Sequence, residues 1–249
     1  MFKELRILYH QGKQFIPNLQ NVQLKAPFRG KPIISNIKIN ENKLISICPL
    51  GAIEVNPVRI DLGKCNFCGE CSLQFPDKIK FTQDFHLSTT KRQDLIIYEG
   101  DVKPIYFDDE AVRQEILSLF GGSLKLRQVS AGGDNSSELE LNATNNVNFD
   151  MGRYGIEFVA SPRHADGIVI TGPITKNMSE ALQICYDAIP NPKIIILCGV
   201  DAISGGIFAD SPDINREFVE KYKIDLYIAG NPPHPLTFIN GILKLLKIG

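Results

Sequence analysis

From about residue 123 onward, short apolar runs rich in β-branched residues alternate with helix-like segments. "SLKLRQV", "YGIEFVAS", "GIVITG", "KIIILCG" and "DLYIAG" read as strands. "SSELELNATNN", "TKNMSEALQICYDAI" and a last segment from about Pro235 read as helices. A strand that is apolar on both faces must be covered on both faces, so this alternation predicts a parallel sheet with helices on each side. With 249 residues, 43% of them hydrophobic, the chain buries enough core for one large domain or two modest ones.

Upstream the texture changes. Residues 1–30 form a mixed N-terminal segment in which Phe2, Leu5 and Leu8 fall on one side of a possible amphipathic helix. Such a helix is expected to pack on its own protein or on a partner rather than to lie in lipid. Residues 31–100 carry four of the six cysteines among short β-rich pieces and turn residues. Residues 101–122 are expected to hold a connecting helix, since "DDEAVRQEILSLFGG" opens with acids and closes on Gly-Gly. Residues 123–249 make up the α/β part.

The segment "GKCNFCGECSLQFP" sets Cys65, Cys68 and Cys71 three apart and puts Phe75 where a ferredoxin-type CxxCxxCxxxCP run has its fourth cysteine. In two-cluster ferredoxins that fourth cysteine ligates the other cluster. The missing ligand should therefore come from the end of another motif, and Cys48, followed by Pro49, has that form. Counting back from Cys48 reaches Leu44, Glu41 and Lys38, so the rest of the first motif is gone, and Phe75 removes the remaining ligand of the same cluster. One [4Fe–4S] cluster held by Cys48, Cys65, Cys68 and Cys71 is the economical reading. A four-cysteine zinc site is the alternative. Cys185 and Cys198 lie in apolar runs and are expected to be small core residues.

"FGGSLKLRQVSAGG", "RYGIEFVASPRHADGIVITGPITKNMSEAL", "PKIIILCGVDAISGGIF" and "GNPPHPLTFINGIL" resemble the small subunit of energy-converting, membrane-bound nickel-iron hydrogenases. That family is homologous to the 20 kDa iron–sulfur subunit of respiratory complex I. "IDLGKCNFCGECS" resembles the ferredoxin-type subunit of the same complexes, so the chain looks like a fusion of the two. The resemblance implies a flavodoxin-like α/β fold beside a small α+β ferredoxin-like domain. It also implies a large-subunit partner of hydrogenase or complex I type, and membrane-arm partners.

The family holds a terminal cluster on four cysteines, and here all four are replaced. Asp134 and Ser137 stand at the first two positions, Asp201 at the third and Asn231 at the fourth. Two Asp, a Ser and an Asn are hard or neutral oxygen donors, poor ligands for iron–sulfur, so the terminal cluster is expected to be absent. Glu140 falls where the family has an acid near the cluster, and Arg163 and His164 come from the retained "SPRHAD". A refilled polar pocket, a site for a hard cation or proton, and a shifted alignment that brings Cys198 into the pocket are the readings of that group. His234, between prolines, is expected to be a loop or interface residue. The Gly-Gly pairs at 121–122, 132–133 and 205–206 are expected to be turns.

The formal net charge of −1, without a basic run, offers nothing to nucleic acid. No apolar stretch is long enough to span a bilayer, and "MFKELRILYHQGKQF", without an apolar h-region or small-residue cleavage site, is not expected to be a secretory signal. The expectation is an electron-transfer and assembly subunit on the cytoplasmic, inner face of the cell membrane, with no residue assigned bond chemistry of its own. A non-redox interaction subunit with the cluster as a staple, and an altered site binding a cation, are the rivals.

Overall fold

The computed structural model describes residues 2–12, 14–120 and 122–248. Gly121 of the first Gly-Gly pair therefore lies outside the described residues. The chain opens with α1 (Phe2–Gln11), none of whose residues is buried. The next stretch is laid along the α/β part. Ile16 N–H donates to Asn148 O at 2.9 Å, Leu19 is fully buried, and the Asn240 amide donates to Leu19 O at 2.9 Å.

Then follow β1 (Pro32–Ile34), α2 (Glu41–Ser46), β2 (Ile53–Glu54), β3 (Arg59–Asp61), α3 (Glu70–Gln74), β4 (Ile79–Phe81), β5 (Ser88–Thr89) and β6 (Ile96–Tyr98). β1 pairs antiparallel with β4, and β2, β3 and β6 form a small antiparallel sheet in that order. β5 does not join either. It pairs antiparallel with a strand of the main sheet, through Thr89 opposite Tyr227 and Ser88 opposite Ile228. Beyond it the Thr89 hydroxyl donates to Tyr106 O at 2.9 Å, so the sheet edge is covered rather than left open.

The helix of the connector is α4 (Gln114–Phe120). It starts later than the acids suggest, for a local reason. The Asp108 carboxylate accepts from the backbone N–H groups of Glu110 and Ala111 at 3.0 and 3.2 Å, an Asx-type turn that holds this stretch outside the helix.

After α4 come β7 (Leu124–Ser130), α5 (Ser136–Ala143), β8 (Ile156–Phe158), β9 (Gly167–Thr171), α6 (Lys176–Ala188), β10 (Ile194–Cys198), α7 (Val200–Ser204), α8 (Glu217–Lys221), β11 (Leu226–Ile228) and α9 (Pro235–Leu245). The sheet order is β5-β11-β10-β9-β7-β8, parallel throughout except for β5. Numbered among themselves, the five parallel strands read 2-1-3-4-5, the flavodoxin-like order, with its switch point between β7 and β9. Every residue of β9 and β10 is buried, as expected of strands covered on both faces.

α9 buries every residue but Lys244, and Phe238 stacks on Phe158 with ring centroids 5.8 Å apart. A helix apolar on all sides belongs inside the fold, and this one fills the space between the sheet and the Leu19 segment. On the other face a single cluster of buried side chains runs from Leu44, Ile60, Cys65 and Cys71 to Ile168, Ile170 and Leu197. The cysteine-bearing part and the α/β part thus share one core.

At the switch point Gly172 has φ +78°, and a Cβ there would come within 2.5 Å of Gly133 N. The loops after β7 and β9 can touch only because both residues lack side chains. Gly172→Ala combines left-handed strain with a backbone clash. It is expected to cost about 2–4 kcal/mol of folding free energy, read by urea denaturation.

Candidate functional site

The cysteine loop is shaped before any guest is considered. At the end of β3 the Asp61 carboxylate accepts from Gly63 N–H at 2.8 Å, and Asp61 O accepts from Cys65 N–H at 2.9 Å. Arg92 grips the same carboxylate with two bonds of 2.8 and 2.7 Å. A Cβ on Gly63 would meet the Arg92 guanidinium carbon at 2.5 Å, so glycine lets that clamp close. Gly69, at φ +82°, turns the chain between Cys68 and α3, which carries Cys71. Cys48 follows α2, which is capped by the Asn40 side chain accepting from Lys43 N–H.

Cys48, Cys65, Cys68 and Cys71 line one cleft whose other walls include Ala52, Ile53, Ile60 and Phe81. Cys65 and Cys71 are buried, Cys48 is half-buried and Cys68 is exposed. Backbone N–H groups of Ala52 and Phe67 point at the Cys48 and Cys65 sulfurs, at 3.2 and 3.4 Å. Burial pushes the Cys65 thiol up to about 12 and the Cys71 thiol to about 11, and each is raised further by neighbouring thiols of the set. Left to themselves these groups stay protonated. A cationic guest reverses that preference, since coordination holds thiols as thiolates. The donor set is wholly sulfur, which suits iron–sulfur or zinc and not a hard cation.

A tetrahedral zinc, with Zn–S near 2.3 Å, needs its sulfurs within about 4 Å of one another. Among the described residues no group of three or more His, Cys, Asp or Glu is gathered tightly enough to hold a metal ion.

Phe75 closes α3 and packs against the shared core, with the Lys43 ammonium 5.9 Å from its ring centroid. It therefore faces α2, where Leu44 is fully buried. Apolar side chains, Phe75 and Leu44, occupy two of the four positions at which a second set of cysteines would stand, and the charged Lys38 and Glu41 the other two.

At the carboxyl end of the main sheet, Asp134 and Ser137 follow β7 and Asp201 follows β10. The Ser137 hydroxyl oxygen lies 2.8 Å from where a Cβ on Gly199 would be, with Pro233 on the same side. The start of α5 and the loops after β10 and β11 therefore meet. Burial, then the charges of Asp134 and Glu138, raises the Asp201 carboxyl to about 6. Asp134 is held below the usual carboxylate range by hydrogen bonds from the Ser136 hydroxyl and backbone N–H, at 2.6 and 2.9 Å.

Glu138 is buried and accepts from the Thr171 hydroxyl at 2.6 Å. The sequence pattern points instead to Glu140, whose carboxyl is raised by burial alone. The position of Glu138 directly after Ser137, in the first turn of α5, is the signal that could have found it. Cys198, at the end of β10, is fully buried and its thiol is pushed up by burial and by Glu138. Cys185, on α6, is only half-buried. Asn231 lies beyond β11, next to Gly230, whose carbonyl accepts from Val200 N–H at 3.0 Å, and it also lines a cavity with Cys68.

Two residues are not where the retained motif suggested. Arg163 and His164 precede β9 and line a cavity with Ser123, Lys125, Asp166 and Pro192, at the amino ends of the strands. A residue that precedes a parallel strand lies at the opposite edge from one that follows it, so neither belongs to the Asp134/Asp201 group. His234 is the N-cap of α9: its Nδ1 accepts from Leu236 N–H at 3.1 Å between the rings of Phe28 and Phe149.

The Asp201 carboxyl has a pH consequence. Its folded pKa lies above the unfolded value of 3.8, so the fold binds its proton more tightly. The stabilisation is complete below about 4 and is lost as pH rises through about 6. Because the group is only half-buried, screening leaves about 1 kcal/mol of the effect. Asp201→Asn is expected to raise stability at pH 7 by that amount and to flatten the dependence between pH 4 and 6, measured by denaturation at several pH values.

No helix among the described residues is long and apolar enough to cross a membrane. The profile of the family "NADH ubiquinone oxidoreductase, 20 Kd subunit" matches residues 135–245. The "Probable membrane-bound hydrogenase subunit mbhJ" of Pyrococcus furiosus is 31% identical over 133 residues, covering 53% of this chain and 80% of that protein. An NADH-quinone oxidoreductase subunit of Geotalea daltonii is 41% identical over 112 residues, 45% of this chain and 65% of its own length. The chain thus spans under two thirds of that relative. Among solved structures, a chain of the archaeal membrane-bound sulfane sulfur reductase is 30% identical, with 54% of this chain and 74% of that one covered at a TM-score of 0.47. A hydrogenase subunit matched over four fifths of its length, together with a parallel sheet in flavodoxin order, places the chain in the family of the 20 kDa subunit of NADH ubiquinone oxidoreductase.

Proposed function

We propose that the chain is an electron-transfer and assembly subunit of a membrane-associated complex of hydrogenase or NADH-quinone oxidoreductase type. In this reading it holds one [4Fe–4S] cluster on Cys48, Cys65, Cys68 and Cys71 and none among Asp134, Ser137, Asp201 and Asn231. The observation that carries it is the contrast in donors: four thiols around one cleft in the first half, and only oxygen-bearing side chains at the former terminal-cluster positions. N–H groups aimed at two sulfurs, apolar walls and the CxxCxxC spacing with a distant Cys-Pro support a cluster over zinc. Such a cluster supplies one-electron transfer. The chain's own residues set its surroundings: Asp61 and Arg92 fix the loop, and exposed Cys68 turns it toward Asn231. The hydrogenase and quinone reductase relatives support a large-subunit partner and a peripheral position on the inner face of the membrane. The whole molecule is read as residues 31–100 for the cluster, 101–122 as connector and 123–249 for docking.

Anaerobic purification followed by iron, sulfide and zinc analysis tests this reading. About four irons and four sulfides per chain, with an EPR signal on dithionite reduction, are expected. Stoichiometric zinc without iron would sink it. A cluster that forms but resists reduction favours the staple reading, which draws on the place of Cys65 and Cys71 in the shared core.

A further inference from the structure

Between the cysteine loop and the start of α9 lies a cavity of about 270 Å³. Its polar lining comes from Arg29, Asn66, Cys68, Asn231, His234 and Thr237, with no Asp or Glu. The Thr237 side chain is 1% exposed, yet its hydroxyl has no hydrogen-bond partner. A buried hydroxyl left unpaired is unfavourable, and a guest able to accept its proton relieves the cost. His234 points the same way. Its Nδ1 is used as an acceptor from Leu236 N–H, so the neutral ring carries its proton on Nε2 as a donor. Burial keeps the ring neutral by lowering its pKa.

Arg29 spends one nitrogen on Phe67 O at 3.0 Å and lies against Gly69. Among the described residues it makes no ion pair, so its remaining N–H groups and its charge are free for a guest. The cavity also opens on the N-terminus of an eleven-residue helix, where the partial positive charge favours an anion. Donors and positive charge therefore converge from three separate parts of the chain, with the unpartnered Thr237 hydroxyl at the base.

We infer that this cavity binds one small oxyanion, such as phosphate, sulfate or a short carboxylate, between Arg29 and the start of α9. This goes beyond the electron-transfer reading: the donors of Arg29, His234 and Thr237 need no cluster to supply them, and only Arg29 is anchored on the cysteine loop, through Phe67 O. The test is calorimetric titration of sulfate, phosphate and acetate into the anaerobically prepared full chain. Saturable one-site binding of at least one of them is expected. Arg29→Gln should weaken it by about tenfold and Thr237→Val by about fivefold. Lys247→Gln, in the separate cleft lined by Asp84, His86 and Lys244, should leave it unchanged. Arg29 is exposed, so its variant is expected to fold even if Thr237→Val does not. Failure of all three anions to saturate, or equal affinity in the wild type and Arg29→Gln, overturns the inference. So does a loss with Lys247→Gln equal to that with Arg29→Gln, which means diffuse charge attraction instead of a site.

Discussion

Replacing Cys65 by serine is expected to reduce the iron content of anaerobically prepared protein from about four atoms per chain to near zero. The size of the effect follows from place and chemistry. Cys65 is buried, it begins the loop clamped by Asp61 and Arg92, and it receives the Phe67 N–H. A serine oxygen is a poor substitute for a soft thiolate. Cys185→Ser and Cys198→Ser serve as controls, since neither side chain lines the cleft, and both should keep full iron. Iron retained in Cys65→Ser, or lost equally in the Cys198 variant, contradicts the assignment. Because Cys65 and Cys71 belong to the core shared with the sheet, loss of iron should also lower the thermal midpoint of the whole chain.

Phe238→Ala is expected to cost about 3–5 kcal/mol of folding free energy, the range for deleting a fully buried aromatic ring. Phe238 is 0% exposed, stacks on Phe158 and is the fourth residue of a helix buried on nearly all sides. The hole has little room to collapse, because α9 lies between the sheet and the Leu19 segment and the Asn240 amide ties that segment to the helix, donating to Leu19 O and Leu236 O. Urea denaturation followed by far-UV circular dichroism reads the change. A cost below about 1 kcal/mol would mean that α9 is peripheral.

Much of the α/β part was legible in the sequence, for a physical reason. The stretches "GIVI" and "IIILC" at the heart of two strands are apolar at every position, as strands covered on both faces are. β5 was not legible: two residues, Ser88 and Thr89, gain their strand conformation from pairing with β11, far along the chain. The late start of α4 was hidden too, because acids before a helix serve equally well as a turn, and Asp108 makes one.

The site divides in the same way. CxxCxxC spacing with a distant Cys-Pro is enough to bring four cysteines to one cleft without any coordinates. The oxygen-bearing positions followed from the family's strand ends, yet Arg163 and His164 do not belong with them, since nearness in a motif does not say at which end of a strand a residue falls. The Glu138–Thr171 contact and the cavity of Arg29, His234 and Thr237 join residues from remote segments, and no local pattern announces either.

An anomalous difference map collected at the iron edge from anaerobically grown crystals addresses the central claim directly. The account predicts one iron peak, enclosed by Cys48, Cys65, Cys68 and Cys71, and none elsewhere. A second peak lodged between Asp134, Ser137, Asp201 and Asn231 would contradict it.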